Sequence, residues 1–131
     1  MKIIKKKIII KKDKRGVVFN PLQQAGLAVQ KNVHIVITSP GYIRGNHYHK
    51  KSTENLIIYG SALLRIKNKG EIDDIIVKED EALSITIPPG IAHAIKNTGT
   101  KSNLLIAFQS EKYQIYHSDT FQDILIENND E

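Results

Sequence analysis

Two histidines stand two residues apart, His47 and His49 in "RGNHYHKKSTE"; a carboxylate follows at Glu54, and a third histidine, His93, comes just after "PPG" at 88–90. Imidazole nitrogens with a carboxylate are ligand types for borderline divalent ions. In an extended strand alternate residues share a face, so His47 and His49 point to one side with their rings close enough to share an ion. A turn through "KKST" with an antiparallel return brings Glu54 to that side. A second hairpin supplies His93, and the same parity carries Ile95 and Asn97 inward with it. Three imidazoles and one carboxylate meeting inside a barrel suit Zn, Fe, Mn, Ni, Co or Cu, and suit Mg or Ca poorly. The chain has no cysteine, which excludes disulfides, thiolate nucleophiles and cysteine-type zinc sites.

The elements that must carry these residues are short and extended. Runs rich in Val, Ile, Leu and Thr recur at 33–38, 55–59, 62–66, 73–77, 83–87, 93–97 and 104–108, separated by turn signals such as "SPG", "NKG" and "PPG". Many short strands at this spacing, with little room between them for helices, predict an all-β fold, a small antiparallel barrel or jelly roll. One short C-terminal helix is expected over "SDTFQDIL" 118–125, with Ser118 as its N-cap. At 131 residues the chain is one domain with a proper core. No apolar run reaches the length of a membrane span and the N-terminus is too charged for a signal peptide, so a cytoplasmic location is expected and no membrane partner.

Charge is unevenly placed. Residues 1–15, "MKIIKKKIIIKKDKR", hold eight of the nineteen Lys and Arg against one Asp, and the remainder carries eleven basic and thirteen acidic residues. The body is therefore not basic, and no nucleic-acid partner is expected. The first fifteen residues read as a basic N-terminal arm, a strand whose lysines stay solvated and discourage edge-to-edge aggregation. The remaining residues, 16–131, read as the single barrel domain. The clustered isoleucines of the arm need cover, which points to a homodimer through this strand.

At the histidine-bearing hairpins the sequence resembles the cupin superfamily. Its first motif, G-x5-H-x-H-x3,4-E-x6-G, is met by Gly41, His47, His49 and Glu54, with Gly60 arriving after five residues instead of six. Its second, G-x5-P-x-G-x2-H-x3-N, is met by Pro88, Gly90, His93 and Asn97, with Ala82 in place of the leading glycine. The resemblance implies a jelly roll, commonly dimeric, with His47, His49, Glu54 and His93 as ligands of a divalent metal. "IRGNHYHK" is similar to the nucleotide-sugar cupins around dTDP-4-dehydrorhamnose 3,5-epimerase and the 4-keto-sugar 3,4-ketoisomerases. The longer pattern from "VHIVITSPG" to "TIPPGIAHAIKNTG" is similar to the cupin domain of capsular-polysaccharide epimerases.

This resemblance implies an epimerase or isomerase of nucleotide-linked 4-keto-6-deoxy sugars, working by enolisation next to the ketone. Zn, or Fe, Mn or Ni, would polarise the keto oxygen. His34 or a tyrosine from Tyr42, Tyr48, Tyr113 and Tyr116 would deliver protons, with His34 and Tyr48 as the first choices. Arg44 would hold the diphosphate, and Asn97 would contact the substrate. His117 is expected at the surface. Two other classes use the same ligands: an Fe(II) or Cu dioxygenase, and a domain that binds a sugar or metal without turning it over.

Overall fold

The computed structural model describes residues 2–20, 30–112 and 118–127. Twelve strands follow in order: β1 (Ile4–Lys7), β2 (Lys11–Asp13), β3 (Gly16–Val18), β4 (Asn32–Thr38), β5 (Ile43–His49), β6 (Glu54–Tyr59), β7 (Ala62–Asn68), β8 (Glu71–Val77), β9 (Ala82–Ile87), β10 (Ala92–Lys96), β11 (Asn103–Gln109) and β12 (Thr120–Gln122). One five-stranded sheet runs β1-β9-β6-β11-β4, a second runs β12-β5-β10-β7-β8, and β2 pairs with β3 as a separate hairpin. Every pairing is antiparallel. The seven runs expected from apolar patterning are all strands, with ends moved by at most two residues.

Alternation decides what fills the space between the sheets. The inward rows are Leu56 and Ile58 on β6, Leu64 and Ile66 on β7, Leu83, Ile85 and Ile87 on β9, and Leu105 and Ala107 on β11. Ile58, Leu64 and Ile85 are fully buried, each worth about 1.5–3 kcal/mol in removed apolar surface. The same rows turn polar toward one end. Glu54 continues the β6 row, Gln109 the β11 row, and His93 the β10 row beyond Ile95. The interior is thus divided lengthwise into an apolar floor and a polar mouth.

A second, smaller cluster lies on the outer face of the first sheet. Ile8, Ile57 and Ala82 are buried there, with Phe19, Tyr59, Ile106 and Phe108 against them. The isoleucines of the basic arm therefore find much of their cover within the chain: Ile8 in this cluster and Ile3 against the main core. Ile4 and Ile9 remain exposed, as do Val33, Ile35 and Ile37 along the outward row of β4.

The expected C-terminal helix is a correction. Ser118 does cap, its Oγ accepting from the Thr120 amide at 3.2 Å, but the next residues form β12, paired with His47, Tyr48 and His49 of β5. Ladder bonds to a waiting strand outweigh the weak helical periodicity of "TFQDIL". Among the described residues there is no helix, and none long and apolar enough to cross a membrane. Tyr113, Tyr116 and His117 lie outside the described residues.

Candidate metal centre

The four expected ligands meet. One nitrogen from each of His47, His49 and His93 and an oxygen of Glu54 all lie within 4.8 Å of one another. The His47 ring is 4.9 Å from both His49 and His93, centre to centre, and His93 sits directly across from His47 in the β10–β5 ladder. His49, Glu54 and His93 are buried, and His47 is half-buried.

Hydrogen bonding fixes which ring atoms face inward. His49 donates from Nδ1 to the Asp119 carbonyl at 3.0 Å, and His93 from Nδ1 to the Ile91 carbonyl at 3.1 Å. A carbonyl only accepts, so each neutral ring carries its proton on Nδ1 and turns an Nε2 lone pair inward. Both Nε2 atoms point at one carboxylate oxygen, Glu54 Oε1, at 2.9 and 3.0 Å. Lone pairs converging on lone pairs require a positive charge between them, either a proton or a cation. That donor set, all nitrogen and carboxylate oxygen, fits a borderline divalent ion with bonds of about 2.0–2.2 Å.

The titrations follow from the same geometry. Burial, with His93 and His49 as like-charged neighbours, pushes His47 down to about 4 despite the pull of Glu54. Burial also acts downward on His49, but the hydrogen bond and charge of Glu54 outweigh it and the net shift is upward. Burial pushes Glu54 up; hydrogen bonds and charge from His49 and His93, when a proton sits on their Nε2 atoms, reverse this and hold it far below the usual carboxylate range. Its other oxygen, Oε2, accepts from Gln109 Nε2 at 2.9 Å, and Gln109 Oε1 accepts from Asn32 Nδ2 at 2.7 Å.

Arg44 reaches the same space through a β-bulge. Three positions separate it from His47, which in a regular strand would put the two on opposite faces. The β10–β5 register shifts between His93 and Ala94, with Gly45 at φ +88° and Asn46 at φ +56°. The extra residue restores parity, so Arg44, His47 and His49 line one cavity of about 210 Å3, together with His34, Val36, Glu54, His93, Ile95 and Gln109. Arg44 Nε donates to Thr38 Oγ1 at 3.3 Å. His34, on β4 opposite Ala107, also faces an adjoining cleft of about 400 Å3 walled by His49, Gln109, Lys50, Ser52 and Thr120.

Two expected site residues are placed elsewhere. Strand alternation sends Tyr48 to the outer face, where its ring stacks on Phe121 at 5.5 Å. Asn97 is buried but lies beyond the end of β10, outside the cavity lining. Its Nδ2 donates to the carbonyls of Thr38 and Lys101, both at 2.8 Å, and its Oδ1 accepts from Gly99 N at 2.9 Å. The Asn97→Ala variant should therefore lose about 1–3 kcal/mol of stability in urea denaturation, because the buried Thr38 carbonyl loses its partner and the part-buried Lys101 carbonyl and Gly99 amide are released to water. Unchanged stability with impaired turnover would instead make Asn97 a substrate contact.

Sequence reasoning missed Gln109, Asn46 and Asp119. Gln109 was legible, being in phase with Leu105 and Ala107. Asn46 clamps the C-terminal segment, its Oδ1 accepting from the amides of Leu125 and Ile126 at 2.9 and 3.0 Å. Asp119 is held below its usual carboxylate range: burial acts upward, but amide donation from Ser52, Lys51 and Lys50 prevails.

Two antiparallel sheets closed over this three-histidine, one-carboxylate cluster define a cupin. Residues 11–121 match the family model described as the polysaccharide biosynthesis C-terminal domain, and the chain belongs to that family. Over 85 residues it is 32% identical to the UDP-2-acetamido-2,6-beta-L-arabino-hexul-4-ose reductase of Pseudomonas aeruginosa, covering 63% of this chain and 23% of that protein. The chain thus spans about a quarter of the length of the curated relative it matches. The capsular polysaccharide assembling protein CapF of Staphylococcus aureus superposes with a TM-score of 0.67 at 24% identity, covering 90% of this chain and 33% of that one. The sugar 3,4-ketoisomerase QdtA of Thermoanaerobacterium thermosaccharolyticum, solved in complex with TDP, gives a TM-score of 0.69 at 22% identity over 92% of this chain and 88% of that one. These structural likenesses establish the fold.

Proposed function

We propose that this domain is an isomerase or epimerase of nucleotide-linked 4-keto-6-deoxy sugars, with a divalent ion held by His47, His49, Glu54 and His93. The observation that carries the reading is the meeting of those four side chains with His34 and Arg44 on the walls of one small cavity. Similarity to a sugar 3,4-ketoisomerase and to a capsular polysaccharide protein supports it. The adjoining cleft gives the remainder of a large ligand a place outside the cavity.

A bound ion would supply Lewis-acid polarisation of the keto oxygen. The chain supplies the rest. His34 takes the proton from the carbon next to the ketone. Protonation of that carbon from the opposite face by solvent water, with His34 keeping the proton it took, gives the epimer; delivery of the His34 proton to the former carbonyl carbon, with the hydroxyl proton shifted to the enolate oxygen, gives the isomeric ketone. Arg44 binds the diphosphate through its guanidinium. Tyr48 and Asn97, facing elsewhere, take no part. A homodimer using the arm that bears the exposed Ile4 and Ile9, and a cytoplasmic setting, belong to the same reading.

The test is incubation of metal-loaded protein with dTDP- and UDP-4-keto-6-deoxyhexoses in D2O, with NMR detection of deuterium at C3, C4 and C5. Deuterium should enter at one of these carbons, and His34→Ala should slow its entry by roughly 10²–10⁴-fold. Absence of exchange with either donor, while the ion remains bound, would overturn enolisation.

A further inference from the structure

We propose that Asp119 is a positioning residue for the ligand-bearing connection from β5 to β6, fixing with one side chain and one carbonyl both the turn between His49 and Glu54 and the orientation of the His49 ring. The inference rests on the metal reading for its consequence, but not for its geometry. Residues 50–53, "KKST", are all that separates the two ligands, and the segment contains neither Gly nor Pro to set its shape. Its shape comes from outside. Asp119 Oδ1 accepts from Lys50 N at 3.0 Å and Lys51 N at 3.2 Å, and Oδ2 accepts from Lys51 N at 3.0 Å and Ser52 N at 2.9 Å. Three successive amides thus converge on one carboxylate, in charge-assisted bonds of the stronger kind. At the far end of the turn, Thr53 N donates to Ser110 Oγ at 2.9 Å and Ser110 N donates to the Thr53 carbonyl at 3.1 Å.

The same residue's carbonyl receives the His49 Nδ1 proton. Carbonyl and carboxylate belong to one residue, so release of the carboxylate removes one of the two holds on that carbonyl, the other being the β12–β5 ladder that begins at Thr120. Outer partners of this type select the tautomer and raise the basicity of a ligating imidazole, and their loss typically weakens metal binding by about 10–100-fold. Asp119 differs from an ordinary outer partner in also setting the backbone between two ligands.

The experiment compares wild type, Asp119→Ala and Asp119→Asn, which keeps one acceptor oxygen. In metal-free protein, above the titration of the ring, long-range 1H–15N spectra should show His49 as a single Nδ1–H tautomer in wild type and as a mixture in Asp119→Ala. Amide exchange at residues 50–52 should accelerate in that variant. Co(II) affinity should fall about 10–100-fold with an altered visible d–d spectrum, and Asp119→Asn should recover part of each change. Unchanged His49 nitrogen shifts, turn exchange and Co(II) binding in Asp119→Ala would overturn the proposal. If wild type itself binds no Co(II), the metal reading fails while the nitrogen spectra and exchange still decide Asp119's role. Should Asp119→Ala not fold, Asp119→Asn decides the matter by the same readouts, no change again overturning it.

Discussion

His93→Ala should lose the tight binding of Zn(II) or Co(II) that the wild-type domain is expected to show. The ligands straddle the two sheets, so the expected hairpins do not form as ladders: His47 and His49 on β5 and His93 on β10 are neighbours in one sheet, and Glu54 opens β6 in the other. Without His93, the two β5 imidazoles and the β6 carboxylate remain, and the β10 side of the ion is left open. Structural zinc sites are worth roughly 10–16 kcal/mol in all, so one ligand in four accounts for about 3 kcal/mol, a hundredfold or more in affinity. The cleanest measurement is the shift of Tm on adding metal. Saturation at a hundred times Kd stabilises by about 2.7 kcal/mol, so wild type should rise by several degrees and His93→Ala should barely move at the same concentration. Comparing metal-induced shifts separates loss of the site from any destabilisation of the metal-free variant. Equal shifts in the two proteins would remove His93 from the ligand set.

Gly45→Ala should cost the fold more than a methyl added at any of the open glycine turns, Gly16, Gly41, Gly70 or Gly90. A Cβ at residue 45 would stand 2.8 Å from the His93 carbonyl oxygen, on a backbone held at φ +88°. The left-handed conformation costs about 1–2 kcal/mol, and overpacking against an immobile backbone atom adds about 1–3 kcal/mol. The sum, roughly 2–5 kcal/mol, corresponds to a fall in Tm on the order of 10 °C or more for a domain of this size. Gly70→Ala is the control. Gly70 has φ +81° with nothing within 4 Å of an added Cβ, so it carries the conformational cost alone. A fall in Tm no larger for Gly45→Ala than for Gly70→Ala would mean that the bulge gives way freely. Because the clash falls on the main chain of His93, metal affinity should weaken together with stability.

The cluster of ligands was legible because it depends on local parity. His47 and His49 share a face by alternation alone, and the turns before Glu54 and His93 are short enough to leave few alternatives. The route by which Arg44 joins them was not legible in the same way. Parity places it outward, and only the extra residue at Asn46 turns it in; nothing local distinguishes that bulge from a regular strand end. Ser118 shows the opposite failure. Its cap-like hydrogen bond forms as expected, yet a strand follows, because the deciding interaction is a ladder to residues 47–49, about seventy positions earlier in the chain. Parity points Asn97 inward with His93, but its carboxamide is spent on the backbone of Thr38, Gly99 and Lys101. Gly60, displaced by one position from the motif, still occupies the β6–β7 turn with φ +100°. Ala82 opens β9 without a positive φ, so the missing leading glycine changes nothing there.

The two borders of the first sheet are chemically unlike. β1 presents the exposed Lys5, Lys6 and Lys7, whereas β4 presents Val33, Ile35 and Ile37 without a charged neighbour between them. Among the described residues no strand adjoins the far side of β4. Edge-to-edge continuation of the sheet into another molecule is therefore confined to β4, since ammonium groups resist it at β1; a contact through the arm has to use the side-chain face of Ile4 and Ile9 instead. Joining β4 to β4 is an isologous, two-fold contact that uses up both apolar borders of this sheet at once, so growth through the first sheet is self-limiting and closes at two copies.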